Sequence, residues 1–223
     1  MSSPHGRRFF HEYQSVMRHR VMDVVLASSP YDAFILEEAG ELSERMVGEF
    51  RNLDLHYAPG LTSVSSGEEA LRLAQEQSRV NLIVTTPHLP DMDAAELAIR
   101  ARRSGLDVPV VLLAWDPHEL SRFLAEADTS AIERAFLWQG DARILVGIVK
   151  SVEDWRNAAE DTREVGVQVI LLVEDNVRYY SSFLPTIYTE LLHHSQRVIA
   201  EGLNLSQKIL RMRARPKILL CTT

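Results

Sequence analysis

Hydroxyls, one acidic pair and a basic run are the groups in this chain whose types and spacing could do chemistry. Ser28 and Ser29 follow an apolar run from Val21 to Ala27, and Thr86 follows another that begins at Val80. In an α/β sheet the carboxyl end of such a strand faces the crevice where ligands bind. Hydroxyls there can hold an anion, the more so beside a helix N-terminus, but they are weak nucleophiles unless a base activates them. Glu174-Asp175 follows a third apolar run, Val167 to Val173, and paired carboxylates suit a divalent cation. Lys208, Arg211, Arg213, Arg215 and Lys217 form a basic run that reads as a solvated helix end. His193 and His194 point to different helix faces, and Glu190 with His194 is too small a set for a metal site. No Walker loop, Gly-x-Gly-x-x-Gly, His-Glu-x-x-His or Gly-x-Ser-x-Gly occurs. No cofactor is expected.

Composition narrows the classes. With 223 residues, 46% hydrophobic and 25% charged, the chain has room for one large or two small globular domains. The net charge of −7 argues against a nucleic-acid binder, which would carry a basic footprint. Cys221 is the single cysteine, so no intramolecular disulfide can form. No apolar run approaches the ~20 residues that span a bilayer, and the N-terminus lacks a secretory signal. No membrane or nucleic-acid partner is expected, and the expected location is cytoplasmic.

The elements that must position these groups follow from periodicity. Phe9, Phe10, Tyr13, Val16 and Met17 line one face of an expected helix in residues 1–20. After the first strand, Ser29, Pro30 and Asp32 read as N-cap, first turn and acidic third position of a helix running to about Asn52. Leu55 to Ala58 and Leu61 to Ser65 share a second strand, bent at Pro59-Gly60. A short helix opens at Gly67, and the third strand at Val80 leads to a helix over Met92 to Arg103. Val108 to Ala114 is the fourth strand, Pro117 to Ala125 a helix, and Ala135 to Trp138 the fifth strand. Asp141 then caps a long helix with the stripe Ile144, Leu145, Ile148, Val149, Val152 and Trp155. Alternation at this spacing predicts a parallel sheet with helices on both faces.

The third strand and its loop, ending Thr86-Pro87-His88-Leu89-Pro90-Asp91-Met92-Asp93, carry a resemblance. Over about residues 22–150 the chain resembles the receiver domains of two-component response regulators, with Pro90, Met92 and Asp93 matching the family's loop. The resemblance implies a flavodoxin-like, doubly wound five-stranded sheet of order 2-1-3-4-5. It also implies where phosphoryl chemistry would sit: an acid pair on Ser28-Ser29, the acceptor aspartate on Thr86, a hydroxyl on Ala114 and a lysine on Gln139. Every one of these positions carries a side chain without the required chemistry. The domain, residues 21–160, is therefore expected to be a degenerate receiver that phosphorylation does not switch. A phosphoacceptor receiver and a small-ligand sensor using the neutral cleft are the alternatives.

Residues 166–223 read as strand, long helix (Val177 toward Ala200, kinked at Pro185), a further helix from Leu203 to Arg213, and a strand from Lys217 to Thr222. This β-α-β pattern is the expected start of a second, truncated receiver-like unit, with Glu174-Asp175 at its acid-pair position. The tail around Val173–Pro185 and Arg211–Lys217 is similar to N-terminal regulatory regions fused to phosphoenolpyruvate synthase or pyruvate phosphate dikinase-like proteins. None of those enzymes' catalytic residues is present, so the chain is expected to be non-enzymatic. Two strands alone are marginal in water, so the tail is expected to dock on the first domain or on a second copy. A homodimer or downstream domains of the same polypeptide are the expected partners.

Overall fold

Strands that are apolar on both faces need cover on both, and the chain supplies it. The computed structural model describes residues 18–37, 42–53, 55, 57–200 and 215–222. The strands are β1 (Asp23–Ala27), β2 (Gly60–Val64), β3 (Val80–Thr85), β4 (Val110–Ala114) and β5 (Arg134–Leu137). Between them run α1 (Pro30–Glu37), α2 (Leu42–Asn52), α3 (Gly67–Glu76), α4 (Ala94–Arg103) and α5 (Pro117–Glu126), followed by α6 (Arg143–Val165). All pairings are parallel and the order is β2-β1-β3-β4-β5. The fold is flavodoxin-like, as expected.

Strand alternation sorts the side chains into two cores. Val24, Leu26, Leu82, Val84 and Phe136 meet Met46 and Phe50 of α2 and Ile144, Ile148 and Val152 of α6. Val25, Ala27 and Ile83 meet Ala70 and Leu71 of α3 and Leu97 and Ala98 of α4.

Several expectations need correction. Within the helix expected from Pro30 to Asn52, the described residues form two helical elements, Pro30–Glu37 and Leu42–Asn52, and residues 38–41 lie outside the described residues. Only the second half of the expected bent strand pairs, from Gly60 to Val64. Residues 18–20 are not helical, and the stripe from Phe9 to Met17 lies outside the described residues. So do residues 203–213, with Lys208, Arg211 and Arg213. Asp141 does not sit at the N-cap itself; its carboxylate accepts the Arg143 amide at 2.9 Å. Trp155 is 53% exposed, because the buried face of α6 turns polar beyond Val152.

That polar turn explains how the tail docks. β6 (Val169–Val173), α7 (Val177–Ala200) and β7 (Lys217–Cys221) form a β-α-β unit whose strands pair in parallel. Tyr180, Leu184, Tyr188 and Leu192 of α7 join the same core as Phe136 and Ile148. A Cβ on Gly147 would stand 3.4 Å from the Pro185 ring, an ordinary contact, so α7 lies against α6 at this point. Helix α7 runs through Pro185 as one element.

The basic run is not a solvated helix end where it is described. Arg215 and Lys217 are 6% and 1% exposed. Asp154 of α6 accepts from Arg215 Nη2 at 2.5 Å and Nη1 at 3.0 Å, the Ile218 amide at 2.9 Å and the Tyr188 hydroxyl at 3.1 Å. Lys217 pairs with Asp161 at 3.0 Å. Burial alone would lower the Arg215 pKa, but the Asp154 charge outweighs it and holds the guanidinium above its ordinary value. Burial and then the neighbouring Arg215 push the Lys217 ammonium below its ordinary value. Of the two expected docking modes, the structure has the tail on its own chain.

Docking also closes the outer edge of β5. The Tyr180 hydroxyl donates to the Ala135 carbonyl at 2.5 Å, and the Leu137 amide donates to Ser181 Oγ at 2.9 Å. Arg134 Nη2 reaches the Leu220 carbonyl at 2.9 Å. Burial pushes the Tyr180 phenol up to about 12.

Candidate functional site

Main-chain bonds gather the carboxyl ends of the strands. The Ser28 amide donates to the Val64 carbonyl at 3.1 Å and the Thr86 amide to the Ala27 carbonyl at 3.0 Å. Ser28 and Thr86 thus directly follow paired strand ends, Ala114 is the last residue of β4, and Gln139 lies two residues past β5. The fold therefore brings Ser28, Ser29, Thr86, Ala114 and Gln139 to one edge of the sheet. Glu174 and Asp175 lie at the end of β6, in the separate two-stranded sheet. Glu174 Oε1 accepts the Asn176 amide at 2.9 Å, a turn contact before α7.

Of the five positions, Ser29 and Gln139 have side chains engaged in local hydrogen bonds. Thr86 is fully buried, and its Oγ1 has no hydrogen-bond partner. The hydroxyl that serves the backbone is instead that of Thr85, which donates to the Thr86 carbonyl at 3.1 Å. Ser29 caps α1 as expected, accepting the Asp32 amide at 3.1 Å and donating to Asp32 Oδ2 at 2.8 Å. Gln139 Nε2 donates to the Arg178 carbonyl at 3.1 Å, tying the loop after β5 to the start of α7.

Sequence reasoning missed the second role of Asp32. Its Oδ1 accepts from Trp115 Nε1 at 2.9 Å, across from the loop after β4. The Tyr31 and Trp115 rings also meet, with centroids 5.9 Å apart. A capping aspartate thus bridges the loops after β1 and β4 on the site's own rim. No local pattern signals this, since the partners are 83 positions apart. Replacing Trp115→Phe keeps the ring and strands Asp32 Oδ1, at a cost of about 1–3 kcal/mol. Urea unfolding gives the loss, and faster amide exchange over residues 28–34 locates it.

The other nearby carboxylates are held at helix starts. Asp91 accepts the Gly67 and Glu68 amides at 2.9 Å each, bracing the N-terminus of α3. Burial pushes its pKa up, but these amide bonds outweigh that and hold the carboxyl below its ordinary value. Asp93 is the N-cap of α4, accepting the Glu96 amide at 2.8 Å. Mg²⁺ prefers oxygen ligands with one or two carboxylates, and the strand ends offer Ser28, Ser29 and Thr86. Asp32, the carboxylate at the rim, is already engaged on both oxygens. The site residues do not fit a bound Mg²⁺. Among the described residues no group of three or more His, Cys, Asp or Glu is placed to hold a metal. None of the described helices is long and apolar enough to cross a membrane.

No family model and no curated protein matches the sequence. Solved structures do. The signal receiver domain of an HD domain-containing protein from Pseudomonas fluorescens is 17% identical, covering 64% of this chain and 95% of its own, at TM-score 0.42. The receiver domain of a sensor histidine kinase from Pseudomonas aeruginosa is 22% identical, covering 58% and 95%, at TM-score 0.39. The signal receiver domain of a signal transduction histidine kinase from Syntrophus aciditrophicus is 21% identical, covering 60% and 91%, at TM-score 0.40.

Proposed function

We propose that this chain is a receiver-like regulatory and protein-interaction module, not an enzyme, which phosphorylation of its own site does not switch. Thr86 carries the proposal. At the end of the central strand stands a buried, neutral hydroxyl, with serines where a cation would need carboxylates. A phosphoryl group needs both a nucleophile and positive charge to stabilise its oxygens, and this edge of the sheet supplies neither. The partners are proteins, among them a second copy of the chain. The tail's resemblance makes the domains of a phosphoenolpyruvate synthase or pyruvate phosphate dikinase-like protein the proposed output.

Titration with Mg²⁺ and beryllofluoride, followed by amide NMR, tests the proposal. Amides around Ser28, Thr86 and Ala114 are expected to stay unmoved, and saturable shifts there would overturn it. The unpartnered Thr86 hydroxyl favours one second reading, a site for a small polar ligand in the neutral cleft. A thermal-shift screen of metabolites addresses that reading.

A further inference from the structure

A cavity of about 460 Å³ opens at the amino ends of β4 and β5, the opposite end of the sheet from Ser28 and Thr86. We infer that it binds a free α-amino acid with an apolar or aromatic side chain, the ammonium on Glu133 and the carboxylate on Arg102. The strand ends considered for phosphoryl chemistry take no part in this site, and a bound amino acid would give the regulatory module an input.

The sheet itself holds the floor of the cavity. Val108 and Pro109 lead into β4, and Glu133 stands immediately before β5. The Ile83 amide donates to the Pro109 carbonyl at 3.0 Å, and the Glu133 amide to the Val110 carbonyl at 2.8 Å. Arg102, in the last turn of α4, and Trp155 of α6 supply walls from helices that pack on opposite faces of the sheet. Leu106, Val108, Pro109 and Ala131 make the rest of the lining largely apolar. Small-molecule sites are of this size and kind, apolar with a few polar groups that set orientation.

The charges of the lining leave one cation and one anion over. Arg156 is ion-paired with Asp107 and also donates to its carbonyl at 3.2 Å. Arg102 and Glu133 line the same cavity but stand too far apart to pair with each other. Among the described residues, neither side chain makes a hydrogen bond or an ion pair. Burial pushes the Glu133 carboxyl above its ordinary value, although Arg134, Arg156 and Arg102 pull the other way. Charges at a distance do not replace a donor in contact, and a half-buried carboxylate gains by meeting one. Arg102 offers a planar pair of N–H donors that matches a carboxylate. A simple cation in this cavity would face three guanidinium groups, and a simple anion would face Glu133 and Asp107. A zwitterion satisfies both free groups at once. Trp155, 53% exposed, and the apolar lining then take its side chain.

Titration of the full-length, isotope-labelled chain with L-phenylalanine, followed by amide and indole NMR, tests the inference. Saturable shifts are expected at the Trp155 indole N–H and at the Arg102 and Glu133 amides. Hydrocinnamate lacks the ammonium and phenethylamine lacks the carboxylate. Each is expected to bind ~10-fold or more weakly, a loss of about 1.4 kcal/mol or more. Glu133→Gln is expected to weaken L-phenylalanine by a similar factor without weakening hydrocinnamate. Arg102→Gln is expected to do so without weakening phenethylamine. Both side chains lack partners to lose, so thermal unfolding of either variant is expected to match that of the wild type. The absence of saturable shifts with L-phenylalanine and L-leucine up to their solubility limits overturns the inference. So does binding that hydrocinnamate or phenethylamine matches, or that both substitutions leave unchanged. Shifts confined to Ser28, Thr86 and Ala114 would overturn it in favour of the neutral cleft. None of the residues tested belongs to the strand-end site, so failure here leaves the Mg²⁺ and beryllofluoride result untouched.

Discussion

Acetyl phosphate with Mg²⁺ is expected to leave this chain without an acyl phosphate, and Thr86→Asp is not expected to rescue it. Intact-mass and peptide mass spectrometry on freshly treated protein provide the readout. The effect is all-or-none, because two independent parts are missing. Thr86 cannot replace a carboxylate as nucleophile at neutral pH, and restoring that carboxylate leaves Ser28 and Ser29 unable to draw Mg²⁺ out of water. The substitution also places a charge where Thr86 is fully buried with no cation to meet it, so the variant is expected to be less stable as well. An acid-labile phosphate on Asp91 or Asp93 would contradict the expectation most directly. Both carboxylates are occupied by helix-start amides, which would have to be released first.

Arg215→Ala is expected to cost about 3–5 kcal/mol, the range for breaking a buried ion pair by removing one partner. Asp154 is fully buried, so its carboxylate would keep the Ile218 amide and the Tyr188 hydroxyl but lose both guanidinium bonds. Denaturant unfolding measures the loss. Replacing both partners, Asp154→Leu with Arg215→Met, is expected to recover only part of it: no charge is then left unpaired, but the Ile218 amide and the Tyr188 hydroxyl lose their acceptor. A single Arg215→Ala loss below about 1 kcal/mol, the scale of an exposed pair, would show that the tail is not held here. The cost falls on docking: Asp154 and Asp161 lie on α6, while Arg215 and Lys217 lie on the far side of α7 in sequence.

Periodicity and end signals determined the first part of the fold. Apolar runs of strand length alternating with helical stripes identify a doubly wound sheet, because parallel strands must be buried on both faces. Ser29-Pro30-x-Asp32 located a helix start correctly, since capping is settled within four residues. Boundaries were less legible where a run is ambiguous, as at Leu55–Ala58, whose apolar residues pack against the core without joining the β2 ladder.

The types of residue at the strand ends were equally plain, and sequence alone assigned Ser28, Ser29, Thr86, Ala114 and Gln139 to positions that the fold gathers at one edge. Their actual contacts needed the tertiary structure. Asp32 reads as a cap and also accepts from Trp115; the Thr86 hydroxyl proved unpartnered, and that of Thr85 bonded. Arg215 and Lys217 looked like solvated charges, because their partners Asp154 and Asp161 are more than 50 positions away on a helix whose exposed side cannot be read from its own stripe. Local sequence determines backbone conformation and capping through forces that act over a few residues. Burial of a charge and the partner that offsets it are settled only when distant elements meet.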